Sequence, residues 1–238
     1  TVVAEQLERF KQMVDKNMED GMSQDKAMMK VIRQFLRESR NIRFEGNGYS
    51  EEWQKEAVAR GLKGIKNPVE AFKEYINKDT IKMFEAQNVL TAREAEARYE
   101  VLNEIFVKKL QIEARVLGDL TVNHIIPTAI RFQNSLINNV HGIKELFPDD
   151  YQQMCTTQLK LLKKISRYIN ELQTLVHDMI DARKVANVIT DIPTKAATYY
   201  DTVYPFMDKI RVIADKLEMV VDDELWPLPK YREMLFLR

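Results

Sequence analysis

The sequence predicts an all-α fold, a helical bundle with long antiparallel helices, and three observations carry that prediction. Seven glycines and seven prolines in 238 residues leave few breaks. The periodic segments are filled by Leu, Met, Lys, Glu, Arg and Ala, which favour helix at nearly every position. Apolar residues also recur at the i, i+3, i+4, i+7 spacing of one helical face.

Val3, Leu7, Phe10 and Val14 place the first helix at the very start of the chain, and Met28, Val31, Ile32, Phe35 and Leu36 place a second over about 24–40. With Thr1 in place of an initiating Met, this points to a piece of something longer. In "RFEGNGYSEEW" (43–53), Ser50 followed by Glu51 and Glu52 reads as an N-cap with an acidic first turn, opening a short helix that carries Trp53 and ends near Gly61. Pro68 opens another short helix, and "KDTIKMFEAQNVL" forms a third. Thr91 and Glu94 make a T-x-x-E capping box, where each side chain satisfies an orphan amide at the start of a long helix. Pro127 should kink or interrupt that helix before its periodicity continues to about Leu146.

After "FPDD", Leu162, Ile165, Ile169, Leu172, Val176 and Met179 form a heptad seam, and Val203, Phe206, Ile210, Ile213, Leu217 and Val220 repeat it beyond "NVITDIP". Two such helices, about 150–186 and 196–222, should pack antiparallel, each burying its stripe on the other. The prolines of "WPLPKYREMLFLR" prevent a continuous helix, so the apolar tail (Trp226, Leu228, Tyr231, Leu235, Phe236) is expected to fold back and be buried.

Composition narrows the function classes. The 36 basic and 36 acidic residues cancel, so the chain does not resemble the strongly basic proteins that bind nucleic acid tightly. Charges interrupt every apolar run before the roughly 18–20 residues a spanning helix needs. A single Cys155 and no apolar leader make the cytoplasm the default location.

Motifs that could carry chemistry mostly fail. "GNG" lacks both the third glycine and the preceding strand of a dinucleotide loop, and no Walker sequence is present, so Gly46 and Gly48 read as connector glycines. A di-iron bundle needs E-x-x-H pairs, but Thr121, Asn138 and Thr174 stand three before His124, His141 and His177. His177 and Asp178 resemble a phosphohydrolase HD pair without its other ligands, so His177 reads as a solvent-facing or capped residue. Cys155 reads as packing, the eleven methionines as core filling, and the Glu, Asp, Lys and Arg at i+3 and i+4 as solvated helix faces.

Four stretches together are more specific: "TVVAEQL", "RFEGNGYSEEWQKEAVARGL", "EARYEVLNEIFVKKLQIEARVLGDLTVNHIIPTAIRF" and "YPFMDKIRVIADKLEMVVDDELWPLPKYREMLF". They resemble the C-terminal region of type III glutamine synthetases, in the same order from first residue to last. The resemblance implies a parent enzyme that joins glutamate and ammonia through a γ-glutamyl phosphate, using ATP and Mg or Mn. It also implies assembly into a ring-based homo-oligomer, a dodecamer, so the partners are the rest of the polypeptide and neighbouring subunits, with no nucleic acid and no membrane. In that family the metal, nucleotide, glutamate and ammonia sites belong to domains upstream of the region matched here. No catalytic, cofactor-binding or metal-binding residue is therefore assigned to any position.

On this reading, 1–42 are helices following the catalytic domain, 43–90 a connector with short helices, and 91–238 a long-helix bundle. Gly46 and Gly48 would supply backbone angles closed to other residues, and Tyr49 and Trp53 would anchor the loop to the bundle. The rival reading is an independent helical interaction module without enzymatic activity. The reading frame upstream of Thr1 separates the two.

Overall fold

A computed structural model describes residues 1–235, and among these there is no strand. Two compact units divide the chain at Leu102/Asn103.

The first unit opens with α1 (Val2–Glu19) and α2 (Gln24–Glu38), followed by a 3-10 turn at Ser39–Ile42. Lys30 donates to Asn17, the Phe10 and Phe35 rings meet edge-on at 5.5 Å, and Arg9 pairs with Glu38. That reversed order makes α1 and α2 an antiparallel hairpin, closed over Val14, Ala27 and Val31. α3 (Glu51–Ala59), α4 (Pro68–Phe72) and α5 (Lys78–Ala86) follow, separated by loops and a 3-10 turn at Lys73–Ile76. Ser50 caps α3 as expected, its hydroxyl accepting from the Trp53 amide at 3.2 Å.

α1, α3 and α5 end alike. Gly21, Gly61 and Asn88 take positive φ. The amide one residue further on, of Met22, Leu62 or Val89, reaches back to the carbonyl of Asn17, Ala57 or Phe84. This left-handed cap satisfies carbonyls that the helix end would otherwise orphan.

α6 (Ala92–Leu120) begins in the first unit and continues into the second. Its capping box forms as expected: the Thr91 amide and hydroxyl both donate to Glu94 at 2.8 Å, and the Glu94 amide returns a bond to the Thr91 hydroxyl at 3.3 Å. Pro127 does not break the helix. A π-helical turn at Thr121–Ile125 precedes it, and α7 (Ile126–Leu146) resumes with Pro127 in its first turn. Widening the turn removes the need for the amide that proline lacks and relieves its clash with the carbonyl four residues back. The device recurs further on: α10 (Ile192–Thr198) passes through a π turn at Tyr199–Val203 into α11 (Tyr204–Glu218), with Pro205 in the first turn.

α8 (Tyr151–Met154) and α9 (Thr156–Asn187) complete the second unit, with a last turn, α12, at Tyr231–Met234. Along α9 the partners run in reverse order. Gln158 bonds Asn139, Ser166 accepts from Gln133, Val176 and Met179 flank Gly118, and Asn187 accepts from Gln111. The α6–α7 helix therefore lies antiparallel to α9. α9 in turn packs along α11, whose approach begins beside the end of α9, where Tyr199 bonds Asn187.

The expected antiparallel pair is thus present, but with shifted ends and a third helix against it. α9 starts at Thr156, after a break at Cys155, rather than near 150, and the next helix runs 192–218 rather than 196–222. Ile165, Leu172, Val176 and Met179 of the predicted seam are buried, whereas Leu162 and Ile169 are half-buried and Tyr168 joins the core. A helix that meets two neighbours needs a wider apolar stripe than a two-helix seam provides.

The methionines correct the expectation of core filling. Met179 is buried, but Met18, Met28, Met29, Met154, Met219 and Met234 are exposed.

Candidate functional site

The "EGNG" loop is held by a set of contacts among its own neighbours. The Phe44 and Trp53 rings stack at 4.1 Å with 21° between planes. The Arg60 guanidinium lies 5.3 Å from the Trp53 ring centre, donates to the Arg43 carbonyl at 2.7 Å and pairs with Glu56. Arg43 donates to the Leu36 carbonyl at 2.8 Å, tying the loop to the end of α2. Asn47 accepts from the Tyr49 amide at 3.0 Å, an Asx turn that leads into the Ser50 cap.

Two expectations are corrected here. Neither Gly46 nor Gly48 takes positive φ; the positive-φ glycines are Gly21 and Gly61. Gly46 is needed for space, because a Cβ there would lie 2.8 Å from Phe44 Cζ, whereas nothing stands within 4 Å of one at Gly48. Tyr49 does not anchor the loop, being 96% exposed. Phe44 takes that part, and a loop position has no periodicity from which this could be read. Arg60 was legible, since seven residues after Trp53 it shares that residue's helical face.

We expect Gly46→Ala to displace the Phe44 ring from Trp53, lowering stability by about 1 kcal/mol, the worth of one aromatic pair. Gly48→Ala should leave stability unchanged. Thermal unfolding of the two variants, with tryptophan emission as the local probe, checks this.

Beside the loop, an open groove of about 860 Å³ runs past Gly48, Trp53, Val58, Lys63, Ile65 and Lys66. Lys63 there is held by Glu74 at 2.7 Å. Its lining mixes apolar Trp53, Val58 and Ile65 with Glu51, Lys55 and Lys66.

Elsewhere, the shifted carboxylates have structural causes. The Thr91 amide holds Glu94 below the usual carboxylate range, the bond to Thr194 does so for Asp191, Lys63 for Glu74, and Lys184 for Asp181. Each is stabilised as the anion by a cap or an ion pair, the opposite of the burial that raises a general acid. Their contribution to stability is present at neutral pH and is lost as pH falls through their lowered values.

Among the described residues, no group of three or more His, Cys, Asp or Glu could hold a metal ion. His124 is exposed, His141 faces Glu145 at 3.7 Å, and His177 faces Asp181 at 3.3 Å. Cys155 is buried and free. No described helix is long and apolar enough to cross a membrane.

The fold and this surface define an all-helical chain with an aromatic-clamped loop. Residues 27–144, which span that loop, match the family model of the glutamine synthetase C-terminal domain. Over 99% of its length the chain is 43% identical to a glutamine synthetase of Bacteroides fragilis, and over its whole length 30% identical to a type-3 glutamine synthetase of Dictyostelium discoideum. A glutamine synthetase of Butyrivibrio fibrisolvens is 27% identical over 87% of the chain. The chain carries a glutamine synthetase C-terminal domain and is similar throughout to glutamine synthetases, one of them a type-3 enzyme, as its motifs implied. It spans about a third of the length of these relatives, 32%, 32% and 29% respectively.

Proposed function

We propose that this chain is the helical C-terminal segment of a cytoplasmic glutamine synthetase, an ATP-dependent glutamate–ammonia ligase of nitrogen assimilation. Its role is in structure, assembly or regulation, and it supplies no catalytic residue. The observation that supports this best is the end-to-end likeness to proteins named glutamine synthetase that are three times as long. The chemistry of the segment agrees: its shifted carboxylates serve caps and ion pairs, and its histidines stand apart on exposed helix faces. ATP and Mg or Mn belong, on this reading, to the parent enzyme, and the partners are the remainder of the polypeptide and neighbouring subunits of a ring-based dodecamer.

Calorimetric titration of the isolated chain with ATP and magnesium tests it. We expect no stoichiometric binding and no glutamine formed from glutamate and ammonia. A one-to-one isotherm at micromolar affinity would overturn the reading.

A further inference from the structure

The α1–α2 hairpin has more apolar surface than its two helices can bury between them. Ala27, Val31 and Phe35, spaced four apart, turn toward α1. Met28, Ile32 and Leu36 each follow one residue later, about 100° further round the helix. They form a second ridge outside the cluster around Val14, Ala27 and Val31. On α1, Val3 and Leu7 continue the line of Phe10 and Val14 past the Arg9–Glu38 pair, where α2 ends. These five side chains are between 36% and 71% exposed. Beyond the Met28 ridge, Lys26, Lys30, Arg33 and Arg37 recur at spacings of 4, 3 and 4, and Met29 stands exposed between ridge and rim.

We propose that this ridge is a docking face for the remainder of the longer polypeptide, which meets it with an apolar patch bordered by acidic side chains. The proposal rests on the reading of the chain as a C-terminal segment. Three observations select this occupant. The relatives carry about twice as much chain outside the aligned part as within it. The family match begins at Ala27, so the hairpin straddles the edge of the matched domain, with α1 outside it and α2 inside it from Ala27 on. The basic rim of Lys26, Lys30, Arg33 and Arg37 supplies the charge that an acidic border on that chain would complement.

Oxidative footprinting of Met28 and Met29 tests this, with Met219, 83% exposed in the other unit, as the reference. In the isolated chain all three should oxidise readily. In the full-length polypeptide, Met28 and Met29 should lose that reactivity relative to Met219. Ile32→Glu with Leu36→Glu should restore it there while leaving the unfolding temperature of the isolated chain unchanged, since both sites are open to solvent. If the double variant of the full-length protein does not fold, Arg33→Glu with Arg37→Glu is the second variant, and it should restore reactivity by repelling an acidic border.

Equal oxidation of Met28 in the isolated and full-length forms would overturn the proposal. So would protection that appears in the isolated chain as its concentration rises, which assigns the face to a second copy, or on adding phosphatidylserine vesicles, which assigns it to an anionic membrane. An upstream reading frame that encodes no further domain would instead overturn the C-terminal-segment reading itself.

Discussion

Trp226→Ala should destabilise the protein by about 3–5 kcal/mol, the usual cost of truncating a buried tryptophan. Trp226 is 9% exposed although it lies in a stretch with no long helix, followed by Pro227 and Pro229. The Leu225 and Trp226 amides both donate to the Asp222 carbonyl at 3.1 Å, and Lys230 pairs with Asp223. These contacts make a compact turn whose one buried large side chain is the indole, so its burial is what holds the segment in place. Urea denaturation should show a lower midpoint with an unchanged slope. Leu235→Ala is the contrast: Leu235 is 59% exposed, and its loss should stay within about 0.5 kcal/mol. A change for Trp226→Ala no larger than that would show the segment to be undocked.

That contrast corrects the expectation of a wholly buried tail. Trp226 is buried and Leu228 half-buried, but Leu235 is exposed. Phe236 and the side chain of Tyr231 lie outside what the structure describes. Apolarity can be counted along a sequence, but without a helical period it does not say which residues share a face.

The same physics separates what was legible from what was not. Ser50, Thr91 and Glu94 were legible because a cap is local chemistry, decided within four residues. The seam from Ile165 to Met179 was legible because its period is the helix's own. Cys155, where α9 breaks from α8, carries no breaker signal, and no local pattern marks the π turn ahead of Pro205. Met28, Ile32 and Leu36 were read as one buried stripe with Val31 and Phe35, since periodicity reports which residues are apolar and not what covers them. The loop's role as a connector followed from motif grammar. Its internal construction, with Phe44 rather than Tyr49 against Trp53, depends on contacts that no spacing rule encodes.

Tyr199 should give the second large effect, and its several substitutions distinguish packing from hydrogen bonding. The ring is fully buried within a π turn, and its hydroxyl donates at 2.6 Å to the Asn187 side-chain oxygen. That oxygen also accepts from Gln111 at 2.8 Å, so one acceptor joins α6, the end of α9 and the start of the helix that returns along it. Tyr199→Ala should cost about 3–5 kcal/mol, as for other large aromatic truncations. Tyr199→Phe keeps the ring and leaves Asn187 still bonded to Gln111, and should cost about 1 kcal/mol. Asn187→Ala leaves the phenol without its acceptor and should cost about 1–3 kcal/mol. Combined with Tyr199→Phe it should cost less than the sum of the two, because no phenol then remains to be stranded.

Alkaline pH gives an independent readout. Burial pushes the Tyr199 phenol up, against the opposing influence of Gln111 and Arg183. Ionisation is therefore easier in the unfolded chain, and the stability this confers is complete below about pH 10, then is lost as pH rises through the folded-state value. Tyr199→Phe has no such component, so the stability gap between it and the parent protein should narrow above about pH 10. Additive costs for the Tyr199→Phe and Asn187→Ala pair, with a gap that stays constant into alkali, would show that the shared oxygen couples nothing.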